Sequence, residues 1–109
     1  MPAYKFVVYT NPVEGRDAEY NRWYDEIHLA EVTSLPGFTS ARRLRNLPQG
    51  GKAPKHRYMA IYEIESDDVD ATMKGMFDFA AAGKFNMSDA LDPDLETYLY
   101  EEITVRGAR

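Results

Sequence analysis

The sequence predicts an α+β fold whose elements run β-α-β-β-α-β, a four-stranded antiparallel sheet with two helices on one face. Three observations carry this. The hydrophobic pattern switches back and forth between a period of two and a period of about 3.6. The 109 residues are the length of one small domain and read as a single unit over 1–109. Turn-forming residues separate the periodic segments: Asn11-Pro12, Pro36-Gly37 and a Pro- and Gly-bearing stretch over 47–55.

Each element has its own warrant. Tyr4 to Thr10 is β-branched and aromatic and is closed by Asn11-Pro12, so it reads as a strand. From Arg16 to about Ser34, Tyr20, Trp23, Ile27 and Ala30 recur at helical spacing. Asp17 and Glu19 fall in the first turn, where negative charge complements the helix dipole, and Pro36-Gly37 stops the helix. Phe38 to Arg45 alternates as a second strand, and Arg57 to Glu65 is the strongest strand pattern in the chain. Ser66-Asp67-Asp68 then offers a helix N-cap. Val69, Met73, Met76, Phe77 and Ala80 follow as an amphipathic stripe expected in the core, with Gly83 placed as the residue beyond the helix end. Lys84 to Pro93 is irregular. Glu96 to Val105 reads as the last strand.

The strands carry a further message. Tyr4, Phe6 and Val8 alternate with Val7 and Tyr9; Tyr58, Ala60, Tyr62 and Ile64 with Met59 and Ile61; Leu99, Ile103 and Val105 with Tyr98 and Tyr100. A sheet with one wet face shows polar residues at every second position. Here both faces are apolar, and a bare apolar face of that size does not stay in water. A second copy packed sheet to sheet is the expected cover, a two-fold homodimer.

Composition excludes much chemistry. There is no cysteine, which removes disulfides, thiolate nucleophiles and sulfur-ligated metal sites. A net charge of −5 argues against nucleic acid as a partner. No apolar run reaches the roughly 20 residues of a membrane span. The start, Met1-Pro2-Ala3-Tyr4-Lys5, has no signal-peptide pattern, and a cytoplasmic setting is expected. No phosphate-binding loop, dinucleotide fingerprint or serine-hydrolase elbow occurs.

What remains is a short list. Of the two histidines, His28 lies four residues after Tyr24 on one helix stripe, at the border of the core face. It is either an acid/base group or a partly buried histidine bonded to a backbone carbonyl. Glu31, three residues on, has metal-ligand spacing, but one histidine and one carboxylate make no metal site, so no metal is expected. His56, between Lys55 and Arg57, reads as a surface residue. Arg42, Arg43, Arg45, Lys52, Lys55 and Arg57 cluster in and beside one loop and either hold an anion or form a solvated hairpin. Tyr9, Tyr58, Tyr62, Tyr98 and Tyr100 either line a ligand cavity or pack the core and interface.

Three stretches also resemble a known family. Asn11 to Arg16, then Trp23-Tyr24-Asp25-Glu26-Ile27-His28-Leu29, then Leu35-Pro36-Gly37-Phe38 with Ala41-Arg42-Arg43, are similar to the EthD-like branch of the dimeric α/β-barrel superfamily. That branch has a Tyr-x-x-x-His step on its first helix and a Pro-Gly opening the second strand. A proline often follows the His-Leu step there; this chain has Ala30. The resemblance implies a ferredoxin-like fold, a homodimer whose sheets close a barrel, and cofactor-independent chemistry on small molecules. It carries a functional role only to His28, with Trp23 and Tyr24 beside it. Haem-using relatives exist in the superfamily, but no dedicated axial ligand is found and no cofactor is expected.

The resulting expectation is an enzyme of lyase, cyclase or isomerase type acting on an aromatic, lactone or polyketide-like substrate. His28 moves a proton, the Tyr24 hydroxyl holds a carbonyl, and Arg43 steadies negative charge. Trp23, Tyr9, Tyr62, Tyr98 and Phe38 are the expected substrate contacts. A cofactor-free monooxygenase and a non-catalytic ligand-binding or stress-associated barrel are the alternatives.

Overall fold

The strand pairing determines where every candidate side chain faces. In the computed structural model, which describes residues 1–108, the sheet order is β2-β3-β1-β4, with all neighbours antiparallel. The strands are β1 (Ala3–Thr10), β2 (Phe38–Arg45), β3 (Tyr58–Glu65) and β4 (Glu96–Glu101). The two most apolar strands, β1 and β3, take the centre. The outer strands carry the charges that blunt an open edge: Arg42 and Arg45 on β2, Glu96 and Glu101 on β4. The last strand ends at Glu101, shorter than its pattern predicted; Ile103 and Val105 lie beyond it and are exposed, since neither meets a neighbouring strand.

Between β1 and β2 the chain is helical in three consecutive pieces: α1 (Asp17–Trp23), a π-helical turn (Tyr24–His28) and α2 (Leu29–Thr33). Gly37 ends the turn that follows, at φ +87°, and a Cβ there would stand 2.8 Å from the Thr72 methyl. Only glycine tolerates both conditions. The helix α3 (Val69–Ala81) opens as expected, with the Asp68 carboxylate accepting the Ala71 N–H.

Both helical segments lie on one face of the sheet. Phe6, Val8, Ala60, Tyr62 and Ile64 from the strands meet Tyr20, Trp23, Tyr24, Val32, Met73 and Met76 from the helices. At about 25 cal/mol per Å² of apolar area, this burial is the main force holding the layers together. Phe77 departs from expectation: it is half exposed, its ring edge-on to Phe6, beside a groove between α3 and β4 also bordered by Met73 and Leu99.

The other sheet face is uncovered. Val7, Tyr9, Met59, Ile61, Leu44, Tyr98 and Tyr100 form its apolar centre, while Lys5 pairs with Glu63 toward one end. The irregular segment after α3 is pinned back onto the chain following β1, through Val13 N–H to the Ala90 carbonyl and Asp92 N–H to the Asn11 carbonyl.

Candidate functional site

The π-helical turn organises the surroundings of His28. Its defining bond runs from the Leu29 N–H to the Tyr24 carbonyl, five residues back. On a regular α-helix, at about 100° per residue, side chains five apart diverge by about 140°. The wider turn brings them into line instead. Trp23 and His28 stack, with ring centroids 4.6 Å apart and planes 21° from parallel. The sequence placed His28 in register with Tyr24; in the structure it meets Tyr24 edge-on at 5.3 Å and stacks on the residue before it. Helical structure does not break at His28, where the family pattern suggests a proline-assisted stop. It continues through Ala30 to Thr33.

Two loop residues complete the enclosure. Phe85 presents its edge to His28 at 5.3 Å. Asn86 is held twice: its carbonyl accepts the Trp23 indole N–H at 2.6 Å, and its backbone N–H and side-chain amide donate to Glu31 at 3.0 and 2.8 Å. His28 Nδ1 is buried and has no hydrogen-bond partner; the Glu31 carboxylate stands 3.8 Å away, just outside bonding range. Burial pushes the imidazole below its ordinary value against the opposing pull of Glu31, so the ring is neutral at pH 7.

Tyr24 joins this box to a second cluster. Arg43 lies over the Tyr24 ring at 4.6 Å and within 5.3 Å of the Tyr20 and Tyr58 rings. Its guanidinium donates to Asp25 at 2.7 Å and to Asn21 at 2.8 Å. Tyr20 and Thr10 share a buried hydroxyl bond of 2.5 Å. The Tyr62 hydroxyl is buried without a partner, beside the Tyr24 phenol. Burial, reinforced by Tyr20, pushes the Tyr24 phenol up to about 12, and Tyr62 is driven up by burial as well. These phenols therefore stay protonated at neutral pH and are not phenolate bases.

The expected site residues thus fall into three places. His28, Tyr24, Arg43 and Trp23 are gathered around the Tyr24 ring. Tyr62 and Phe38 lie deeper, packed against each other in the core. Tyr9 and Tyr98 contact each other on the uncovered face, with the sheet between them and Tyr62, so within one chain they cannot line the same cavity. The six cations also divide: Arg43 turns inward to Asp25, Arg57 pairs with Asp17 and Lys55 with Glu96. His56 is not a surface residue. It is 8% exposed, with Nε2 3.0 Å from the Asp94 carbonyl and Nδ1 3.4 Å from Glu96, beside the tilted Tyr9 ring. Its charged neighbours in sequence hid a burial that distant residues create.

Phe85 and Asn86 could not be foreseen, since they reach the site from 55 or more positions away. A groove of about 550 Å³ borders Trp23, Ile27 and Met87 and is rimmed by Arg22 and Glu26. Among the described residues no cluster of metal-ligating side chains occurs, and no helix is long and apolar enough to cross a membrane.

No protein-family model and no curated protein matches the sequence. Solved structures do. A dimeric ferredoxin-like protein of unknown function from Thermobifida fusca aligns over 93% of this chain and 92% of its own, at 9% identity and TM-score 0.60. The fold is ferredoxin-like. The haem-degrading protein MhuD of Mycobacterium tuberculosis, in a structure with two haems in its active site, shares it over 95% of this chain and 99% of its own, with 19% identity and TM-score 0.63. So does a Shewanella loihica protein provisionally described as a monooxygenase, over 96% and 99%, with 14% identity and TM-score 0.62. The dimeric α/β-barrel, EthD-like resemblance in the sequence therefore holds at the level of the ferredoxin-like fold.

Proposed function

We propose that this chain is a small-molecule enzyme of lyase, cyclase or isomerase type in which His28 transfers a proton to or from an aromatic, lactone or polyketide-like carbonyl substrate. The observation that carries this is the π-helical turn. It gives up regular helical bonding to stack a neutral imidazole on Trp23, and such turns concentrate at functional sites. A neutral histidine is the form that accepts a proton, and a dry, aromatic surround keeps it so. A groove along Trp23, Ile27 and Met87, edged by Glu19, Glu26 and Asp89, runs beside the ring on which His28 stacks and is the proposed approach for a flat, uncharged substrate. Trp23 is its wall. Tyr24 orients the ring, and Arg43 holds Tyr24 in place; both are proposed to support the site from behind.

A second reading, oxygenation without a bound cofactor, is motivated by the names of the MhuD and Shewanella loihica structures. Haem itself does not suit the residues present. Both nitrogens of His56 face protein oxygens, and the His28 ring is enclosed by Trp23, Tyr24 and Phe85.

The working unit is proposed to be a homodimer, with a second copy covering the apolar face centred on Val7, Ile61 and Tyr98. A cytoplasmic setting remains part of the reading.

The test uses the single tryptophan. Uncharged aromatic carbonyl compounds are titrated against Trp23 fluorescence, and those that bind are followed for conversion and oxygen uptake. His28→Gln should keep binding and lose conversion. Unchanged conversion in His28→Gln refutes the proposal, oxygen consumed with product selects the monooxygenase, and binding without conversion selects the ligand-binding barrel.

A further inference from the structure

Glu31 carries three contacts around one carboxylate, and together they suggest a role the sequence pattern did not. Its side chain is only 18% exposed, low for a helix glutamate. Both Asn86 donors hold it from the loop side, so the carboxylate is fixed without any contribution from His28. The imidazole sits three residues earlier, with Nδ1 buried, unpartnered and 3.8 Å from Oε1. Of the groups packed on that ring, Trp23, Tyr24 and Phe85 offer it aromatic faces and edges, and the charged contact among the described residues is Glu31.

A neutral imidazole carries its proton on one nitrogen or the other, and the hydrogen bond that one nitrogen makes decides which. A buried nitrogen facing a fixed carboxylate is the natural seat of the proton. Were the lone pair of Nδ1 turned toward Glu31 instead, two acceptors would face each other in a dry site. The Nδ1–Oε1 separation of 3.8 Å is within the range from which such bonds tighten when a ligand arrives.

We propose that Glu31 is a positioning residue that holds His28 as the Nδ1–H tautomer and so leaves Nε2 as the proton-accepting nitrogen, with Asn86 bracing the carboxylate. The inference rests on the reading of His28 as the proton-transfer group. It also gives the loop a role, since Asn86 anchors both the Glu31 carboxylate and, through its carbonyl, the Trp23 indole.

Nitrogen-15 NMR of the imidazoles at neutral pH tests this without a substrate. The wild-type protein should show a protonated Nδ1 and an unprotonated Nε2 for His28, separable from His56 by comparison with His28→Gln. In Glu31→Gln the Nδ1–H form should fall from the major to the minor tautomer, and the protonation midpoint of His28 should move further down, because the carboxylate that favours the charged ring is gone. Asn86→Ala, which leaves Glu31 in place but unbraced, should shift the population the same way by less. An Nε2–H tautomer in the wild type, or a population unchanged in Glu31→Gln while Trp23 fluorescence and circular dichroism stay native, overturns the proposal. Neither result depends on turnover. The expected tautomer with unaltered conversion in His28→Gln would leave the positioning role standing and remove the catalytic one.

Discussion

Arg43 lies over Tyr24 and is paired with Asp25, and its replacement gives the sharpest stability test. In the sequence it belongs to a cluster that could hold an anionic substrate. In the structure its side chain is 11% exposed and fully engaged, donating to Asp25 and Asn21 and lying over Tyr24. Arg43→Met removes all three interactions at nearly constant volume. Asp25 is 60% exposed and recovers water, so the two hydrogen bonds are worth about 1 kcal/mol together. The desolvated stack on Tyr24, with the Tyr20 and Tyr58 rings nearby, adds about 1–2 kcal/mol. The expected loss is therefore about 2–3 kcal/mol. Arg43→Lys keeps the charge but loses the planar stack and the forked donor pair, and should cost about 1–2 kcal/mol. Urea denaturation followed by circular dichroism measures both, and the Met variant should melt roughly 10–20 °C lower. A Lys variant equal to wild type, or a Met variant costing less than about 0.5 kcal/mol, would refute the clamp and return the guanidinium to solvent or substrate.

Three further outcomes follow from the same geometry. Tyr62→Phe should raise stability by about 1 kcal/mol because its buried hydroxyl has no partner, whereas Tyr20→Phe should lower it by about 1 kcal/mol by orphaning Thr10; paired denaturation curves compare them. Burial lowers the His28 value in the folded state, so the unfolded chain binds the proton more readily. This group's contribution to stability is complete above 6.5 and is lost as pH falls from there toward the lowered value, a slope that His28→Phe should remove from the pH dependence of unfolding. Equilibrium sedimentation at micromolar concentration should give twice the mass of one chain, and Ile61→Lys, in the centre of the uncovered face, should give a monomer.

Much of this architecture was legible because it depends on local pattern. The Phe38–Arg45 strand emerged with its observed ends, and the Asp68 cap and Gly83 beyond α3 followed from residues whose roles are set by backbone chemistry. The site was legible only in part. His28 stood out through scarcity, yet its partner was misplaced by one position, because nothing in Tyr24-Asp25-Glu26-Ile27-His28 distinguishes a bond five residues long from one of four. Parity along the strands separates Tyr9 and Tyr98 from Tyr58 and Tyr62, but only the strand register shows which parity faces the helices. His56, Phe85 and Asn86 owe their roles to tertiary contacts across tens of residues, where no periodicity reaches.

If His28 moves a proton, carbon-acid exchange reports it without knowledge of the natural substrate. Phenylacetone, an uncharged aromatic ketone whose benzylic methylene exchanges slowly in neutral buffer, is incubated with the protein in deuterium oxide, and loss of that methylene signal is followed by proton NMR. Exchange should be faster than in buffer for the wild type, and His28→Gln should lose at least about 100-fold of that acceleration while binding by Trp23 fluorescence is retained. Equal acceleration by the two proteins would contradict proton transfer by His28.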